Sequence, residues 1–138
     1  MVEIYLFVNP LGGVCLEIEK EIIQLSVNDK KKIQLRFIPL LNMKTINEFL
    51  SRQHIPINDI KRRNRIFEDL YSAALDYKAA QLQGRKKGRQ LLIGLQKAVA
   101  EDGLAYSPEL SEELLLAAGG DIDMYRKDRQ SDFVKESF

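Results

Sequence analysis

The chain has few of the residues from which covalent and metal chemistry is usually built. Its 138 residues include one cysteine, one histidine and no tryptophan. A single cysteine, Cys15, excludes a disulfide within the chain and agrees with a reducing compartment. Together with His54 it provides too few ligands for a zinc site, so we expect no metal.

The chain also has no large excess of charge of either sign and no long apolar run. The net charge is +1, so no global field recruits nucleic acid or an acidic membrane surface. No segment approaches the roughly 20 apolar residues that cross a bilayer. The apolar N-terminal run lacks the basic region and the small-residue cleavage site of a signal peptide. We therefore expect a cytoplasmic protein with neither a membrane nor a nucleic-acid partner.

The basic residues that are present form three short clusters, at Lys30–Lys32, Lys61–Arg65 and Arg85–Arg89. A nucleic-acid site would need such clusters on one face with aromatic residues between them. These clusters fall at predicted turns or helix ends, and acidic residues lie nearby in sequence. We interpret them as solvated surface.

The first forty residues predict a β-α-β unit. Ile4–Val8 is a continuous apolar run, which is typical of a strand covered on both faces. A loop at Gly12–Gly13 follows, and then a helix with an apolar stripe that ends at Leu25. Ile33–Ile38 predicts a second strand. A connection of this length favours parallel strands and a right-handed crossover.

The rest of the chain predicts helices, at residues 45–52, 59–83 and 89–101 and beyond. Gly84 and Gly88 are expected to bracket a basic turn. Ser107–Pro108 is a strong helix start, because it offers a capping hydroxyl followed by proline at the first helical position.

The last predicted helices are short. The helix that starts at Ser107–Pro108 closes at Gly119–Gly120, and Asp121 or Asp123 caps the next one. A final helix is expected to begin near Gln130 and to continue to Phe138. Phe67 and Met124 are expected in the core of the helical part.

The order of these elements, with a cysteine at the first turn of the first helix, resembles the thioredoxin fold with a helical insertion, as in DsbA-like proteins. Asn9–Cys15 is similar to the Asp/Asn-Pro-x-Cys-x-x-Cys segment of a cytoplasmic bacterial branch that includes FrnE-like dithiol-disulfide isomerases and YjbH-type protease adaptors. Phe37–Leu40, Ala118–Asp123 and Asp128–Ser131 also resemble that branch. The resemblance implies an α/β fold with a thioredoxin-like β-α-β unit over residues 1–40 and a helical insertion over 41–129. Residues 130–138 would begin the helix that returns to the thioredoxin core.

The sequence departs from the family in its thiols and in its length. Gly12 stands where the family has the nucleophilic cysteine, and Cys15 stands at the resolving position. A dithiol exchange cycle is therefore not expected within one chain. The family's two later antiparallel strands, cis-proline loop and closing helix have no counterpart here. We interpret the chain as a fragment, and the alternative is that a second copy completes the sheet as a homodimer.

The candidate site is the loop between the first strand and the first helix. Cys15 is a candidate residual thiol, although its place in the apolar stripe favours a buried and inert side chain. Free N–H groups at Gly12–Gly13 could bind a carboxylate such as that of glutathione, or the glycines could simply form a turn. The residues that the resemblance assigns to substrate binding are Asn9, Pro10, Gly12, Gly13 and Val14.

Three functions follow from this sequence. The first is a family member that has lost its nucleophilic cysteine and serves as a protein-binding or adaptor module. The second is a monothiol or glutathione-linked oxidoreductase or transferase that uses Cys15 or the glycine loop. The third is a helical interaction domain unrelated to thiols.

Overall fold

The computed structural model describes residues 2–11, 20–22, 24–25, 33–39, 43–52, 54–56 and 58–136. Within these ranges the only strands are β1 (Val2–Val8) and β2 (Ile33–Pro39). They pair in parallel in one two-stranded sheet, with Val2 opposite Ile33 and Val8 opposite Pro39. The predicted strands and their parallel pairing are confirmed.

One face of β1 packs inward and the other is open among the described residues. Ile4, Leu6 and Val8 contact a buried cluster, because alternate side chains of a strand point to one face. Tyr5 and Phe7 remain 51% and 58% exposed. The expectation that both faces of this strand are covered is therefore wrong for the part of the chain that the structure describes. Completion of the sheet by a second copy stays a prediction.

In the described part of the chain after the sheet there are six α-helices, and one of them continues into a π-helical turn at Lys97–Glu101. The α-helices are α1 (Met43–Arg52), α2 (Ile60–Gln81), α3 (Arg85–Gln96), α4 (Pro108–Ala117), α5 (Ile122–Arg129) and α6 (Asp132–Lys135).

The helix starts carry the capping side chains that the sequence predicts. Ser107 accepts a hydrogen bond from the backbone N–H of Leu110 at 3.2 Å, and Pro108 is the first helical residue. Asp121 accepts from the N–H of Met124 at 3.1 Å. Each cap satisfies an amide that the helix itself leaves without a partner.

The basic segment after α2 differs from its prediction. Arg85 begins α3, so the residues expected to form a turn are instead the first turn of a helix. Gly84 precedes this helix with a φ of 135°, a conformation that favours glycine. Gly88 lies inside α3, where an added Cβ would be 3.0 Å from the Cα of Gln81. Glycine at this position lets α2 and α3 approach closely.

Three further expectations are corrected. Phe67 and Met124 are exposed rather than buried. The last helix ends at Lys135 instead of continuing to Phe138. Residues 20–22 and 24–25 are helical, as predicted, but Leu25 is exposed.

Two buried clusters hold the fold together. The larger one lies among the helices and includes Leu70, Leu91 and Leu115. The smaller one joins the sheet to the helices, because Val8 and Phe37 pack with Tyr77 of α2 and Leu92 of α3. The sheet is therefore anchored on the α2–α3 hairpin.

Candidate functional site

The structure describes only the first part of the loop that the sequence singles out. Asn9 is half-buried and Pro10 is buried at the end of β1. The Asn9 side chain accepts a hydrogen bond from the backbone N–H of Leu11 at 2.9 Å, which forms a local turn. Gly12, Gly13, Val14 and Cys15 lie outside the described residues. Substrate binding by this loop and a reactive Cys15 therefore stay predictions.

The start of the loop is fixed to the helices. Leu11 is almost fully buried and belongs to the larger core cluster. Gln96, buried at the end of α3, donates from Nε2 to the backbone carbonyl of Asn9 at 2.9 Å. This bond crosses between the end of the sheet and the helical part and holds the start of the loop, at Asn9, against the helices.

A groove of about 350 Å³ opens beside Leu11, between the start of α2 and the segment that follows α3. We call it the Leu11 groove. Its apolar lining comes from separate elements: Leu11, Ile55, Ile66, Val99 and Leu104.

A π-helical turn forms one wall of the Leu11 groove. The turn covers Lys97–Glu101, and its residue Val99 lines the groove. Leu104 follows this turn and is 51% exposed. The groove thus offers an apolar surface that is open to solvent, a feature that marks interaction sites in folded proteins.

Charged side chains of α2 line the opposite wall of the groove. Arg62, Arg65 and Asp69 recur at three- and four-residue spacing and so share one face with Ile66. Arg62 also pairs with the helix cap Asp59 at 3.5 Å. Burial raises the pKa of Asp69; the charge of Arg65 acts against this shift and Glu68 adds to it.

Behind one groove wall lies a buried carboxylate that the sequence analysis missed. Asp76 of α2 is fully buried and accepts hydrogen bonds from four side chains. One carboxylate oxygen accepts from Tyr106 and Ser111, and the other accepts from Tyr125 and Arg129. Because both oxygens are saturated and Arg129 supplies the opposite charge, the burial of Asp76 is compensated.

The charge of Asp76 shifts the pKa values of the tyrosines and the arginine that are bonded to it. Burial raises the pKa of Tyr106 and Tyr125, and the Asp76 carboxylate raises both further. Burial acts to lower the pKa of Arg129, but Asp76 raises it overall. The arrangement keeps the phenols neutral as donors and the guanidinium charged.

A second pocket, of about 310 Å³, lies on the other side of the Asp76 cluster. The charged groups that line it are paired with one another. Asp76 is saturated as described, and Arg126 donates to Glu112 through Nε and Nη2 at 2.8 and 2.9 Å. We assign this pocket a structural role, because its charges already have protein partners.

The described ranges contain neither a metal-binding cluster nor a membrane-spanning helix. These residues include no group of three or more His, Cys, Asp or Glu side chains that could hold a metal ion. None of the helices described is long and apolar enough to span a bilayer.

Sequence reasoning does not find the Leu11 groove. The pattern Arg62, Arg65, Ile66 and Asp69 is a usable signal, since it places charges and an apolar residue on one helix face. Taken by itself, this pattern favours a solvated helix surface over a binding site. The other groove residues are far apart in sequence, and only the fold brings them together.

Comparison with known proteins gives one family and a set of named relatives. A family model described as Thioredoxin matches residues 5–138. The chain is 30% identical over 156 residues to the ClpXP adapter protein SpxH of a Bacillus cereus strain, covering 99% of this chain and 52% of that protein.

Two more relatives carry the same name. The protein from Staphylococcus saprophyticus is 24% identical over 136 residues, covering 99% of this chain and 47% of its own length. The protein from Bacillus subtilis (strain 168) is 28% identical over 113 residues, covering 70% of this chain and 38% of its own length. Almost the whole chain is matched in the first two of these relatives, and it spans about half of their length.

Proposed function

The chain belongs to the thioredoxin family, and on that premise we propose that it acts as a cytoplasmic protein-binding adaptor whose partner is ClpXP. The observation that carries this proposal is the open apolar Leu11 groove, which Leu11 lines at the described start of the loop after β1. The names of the relatives, each a ClpXP adapter protein, support the choice of partner.

The groove has the physical properties that a docking site needs. Its apolar floor includes Leu11 and Ile66, so a leucine or phenylalanine of the partner would gain about 1.5–3 kcal/mol if fully buried there. Arg62, Arg65 and Asp69 on the rim can pair with charges of both signs on the partner. Such rim charges contribute orientation and association rate more than affinity.

The thiol positions also favour binding over catalysis. We propose that Gly12 replaces the family's attacking cysteine and that Cys15 remains as a residue of the degenerate motif. Without the first thiolate a single chain has no internal route from mixed disulfide to disulfide. The division into a β-α-β unit at 1–40, a helical insertion at 41–129 and a returning segment at 130–138 is part of the same proposal.

A pair of matched variants tests the groove as the docking site. Leu104 lines the groove and is 51% exposed, whereas Leu116 on α4 lies outside the groove and is 59% exposed. We expect Leu104→Glu to weaken binding to Bacillus cereus ClpXP by about tenfold or more, and Leu116→Glu to change it by less than about twofold. Binding is measured by biolayer interferometry with the chain immobilised.

Both variants should unfold at the same denaturant concentration as the parent chain, since an exposed leucine stabilises the fold little. Absence of ClpXP binding by the parent chain would refute the proposed function. Equal losses of binding in the two variants would place the docking site elsewhere.

A further inference from the structure

Tyr106 belongs to the Leu11 groove and to the Asp76 cluster at the same time. It lines the groove. Its hydroxyl donates to the buried Asp76 carboxylate. Among the groups bonded to that carboxylate in the described structure, Tyr106 is the only one that also lines the groove.

The hydrogen bonds around the Tyr106 hydroxyl leave it one orientation. Its single proton goes to Asp76, so the Ser72 hydroxyl, 2.7 Å away, must be the donor in their mutual contact. Ser72 in turn accepts from Nη2 of Arg129 at 2.5 Å. The Tyr106 hydroxyl therefore donates to one residue of α2 and accepts from another, and Arg129 of α5 bonds to both of these partners.

The wall next to Tyr106 is an irregular segment. Gly103, with a φ of 69°, follows the π-helical turn, and Leu104 projects an exposed side chain. The backbone N–H of Leu104 donates to the carbonyl of Ala98 at 2.9 Å, which ties the segment at its beginning. Two residues later, Tyr106 ties it to the Asp76 cluster.

We infer that Tyr106 is the positioning residue of the Leu11 groove: its hydroxyl, held by Asp76 and Ser72, fixes the Gly103–Tyr106 wall in the shape that receives the partner. The inference rests on the proposed function. A wall that is already ordered loses less conformational entropy when the partner docks, so this anchor strengthens binding without contributing a polar contact to it.

The neighbouring tyrosine provides a matched control. Tyr106 donates to one oxygen of Asp76 and Tyr125 donates to the other, but Tyr125 does not line the groove. Tyr106→Phe and Tyr125→Phe each remove one hydroxyl and keep the ring. Each should lower the midpoint of denaturant unfolding, because each removes a bond to the same buried carboxylate.

The effects on the groove should differ between the two variants. We expect Tyr106→Phe to speed hydrogen exchange of the Leu104 amide by about tenfold and to weaken ClpXP binding by about tenfold. We expect Tyr125→Phe to change either quantity by less than about twofold, once exchange is corrected for global stability. This difference is a readout that a purely structural role of the Asp76 cluster would not produce.

Unchanged Leu104 exchange in Tyr106→Phe, or equal acceleration in both variants, would overturn the inference. If Tyr106→Phe alone speeds the exchange but the parent chain does not bind ClpXP, the proposed function fails and the positioning of the wall by Tyr106 is retained. The two failures are thus distinguishable.

Discussion

Asp76 shows at the scale of one residue how this fold tolerates a charge in its interior. The carboxylate lies in the C-terminal half of α2 with no exposure, and every donor that reaches it comes from a later part of the chain. Removing one partner of such a buried pair is costly, because the remaining charge is left without compensation. The cluster therefore fixes how α4 and α5 pack on α2.

Three buried tyrosines make the free energy of unfolding depend on pH, and the sign of this dependence follows from their surroundings. Burial raises the pKa of Tyr77 to about 12, and burial with Asp76 raises the pKa of Tyr106 and Tyr125 as well. In the unfolded chain these phenols ionise near pH 10. The stability they contribute is fully present below about pH 10 and is lost as the pH rises towards the folded-state values.

We expect the free energy of unfolding to fall above pH 10 by about 1.4 kcal/mol per pH unit for each of these phenols. Denaturant titrations between pH 8 and pH 11 measure the slope. Tyr125→Phe should reduce it by about 1.4 kcal/mol per pH unit. Identical slopes in the parent chain and in this variant would contradict the raised pKa of Tyr125 in the folded chain.

The α2–α3 hairpin shows at the scale of elements why replacing one glycine destabilises the fold. Alanine inside a helix usually stabilises by about 1 kcal/mol relative to glycine. At Gly88 the added Cβ would lie 3.0 Å from the Cα and 3.3 Å from the N of Gln81, and this backbone cannot move without separating the helices. At Gly94 it would meet the end of the Leu114 side chain, which can rotate.

We expect Gly88→Ala to lower the free energy of unfolding by about 1–3 kcal/mol. Gly94→Ala, the same change in the same helix, should be close to neutral because its helix propensity offsets a small rearrangement. Chemical denaturation of both variants measures the difference. Equal stability of the two would show that the hairpin contact at Gly88 is not as close as the structure has it.

The elements that the sequence predicts well have local signals. The strands follow from short β-prone runs, and the caps at Ser107 and Asp121 follow from single residues placed just before a helix. The start of α3 is missed because Arg85–Arg89 is polar and follows a glycine, a pattern equally typical of a turn. The contact of Gly88 with Gln81 of α2, which lies inside the missed first turn of α3, joins two helices and is not part of the local pattern.

At the scale of the whole molecule, the groove and the Asp76 cluster depend on contacts between distant segments. Leu11 and Val99 line the same groove because the segment directly after β1 packs on the helices, where Gln96 bonds to Asn9. The burial of Asp76 likewise depends on Tyr125, 49 residues further along the chain. No local periodicity carries this information. The sequence predicts the thioredoxin family but not the residues that line the groove.

The most direct test of the account is a methyl NMR map of the chain with ClpXP. The chain is labelled at isoleucine, leucine and valine methyl groups and titrated with unlabelled Bacillus cereus ClpXP. The account predicts selective broadening at Ile66, Val99 and Leu104 of the Leu11 groove, with Leu116 on α4 unaffected. Broadening at Leu116 with the groove methyl groups unchanged would contradict it, and so would a spectrum that ClpXP does not alter.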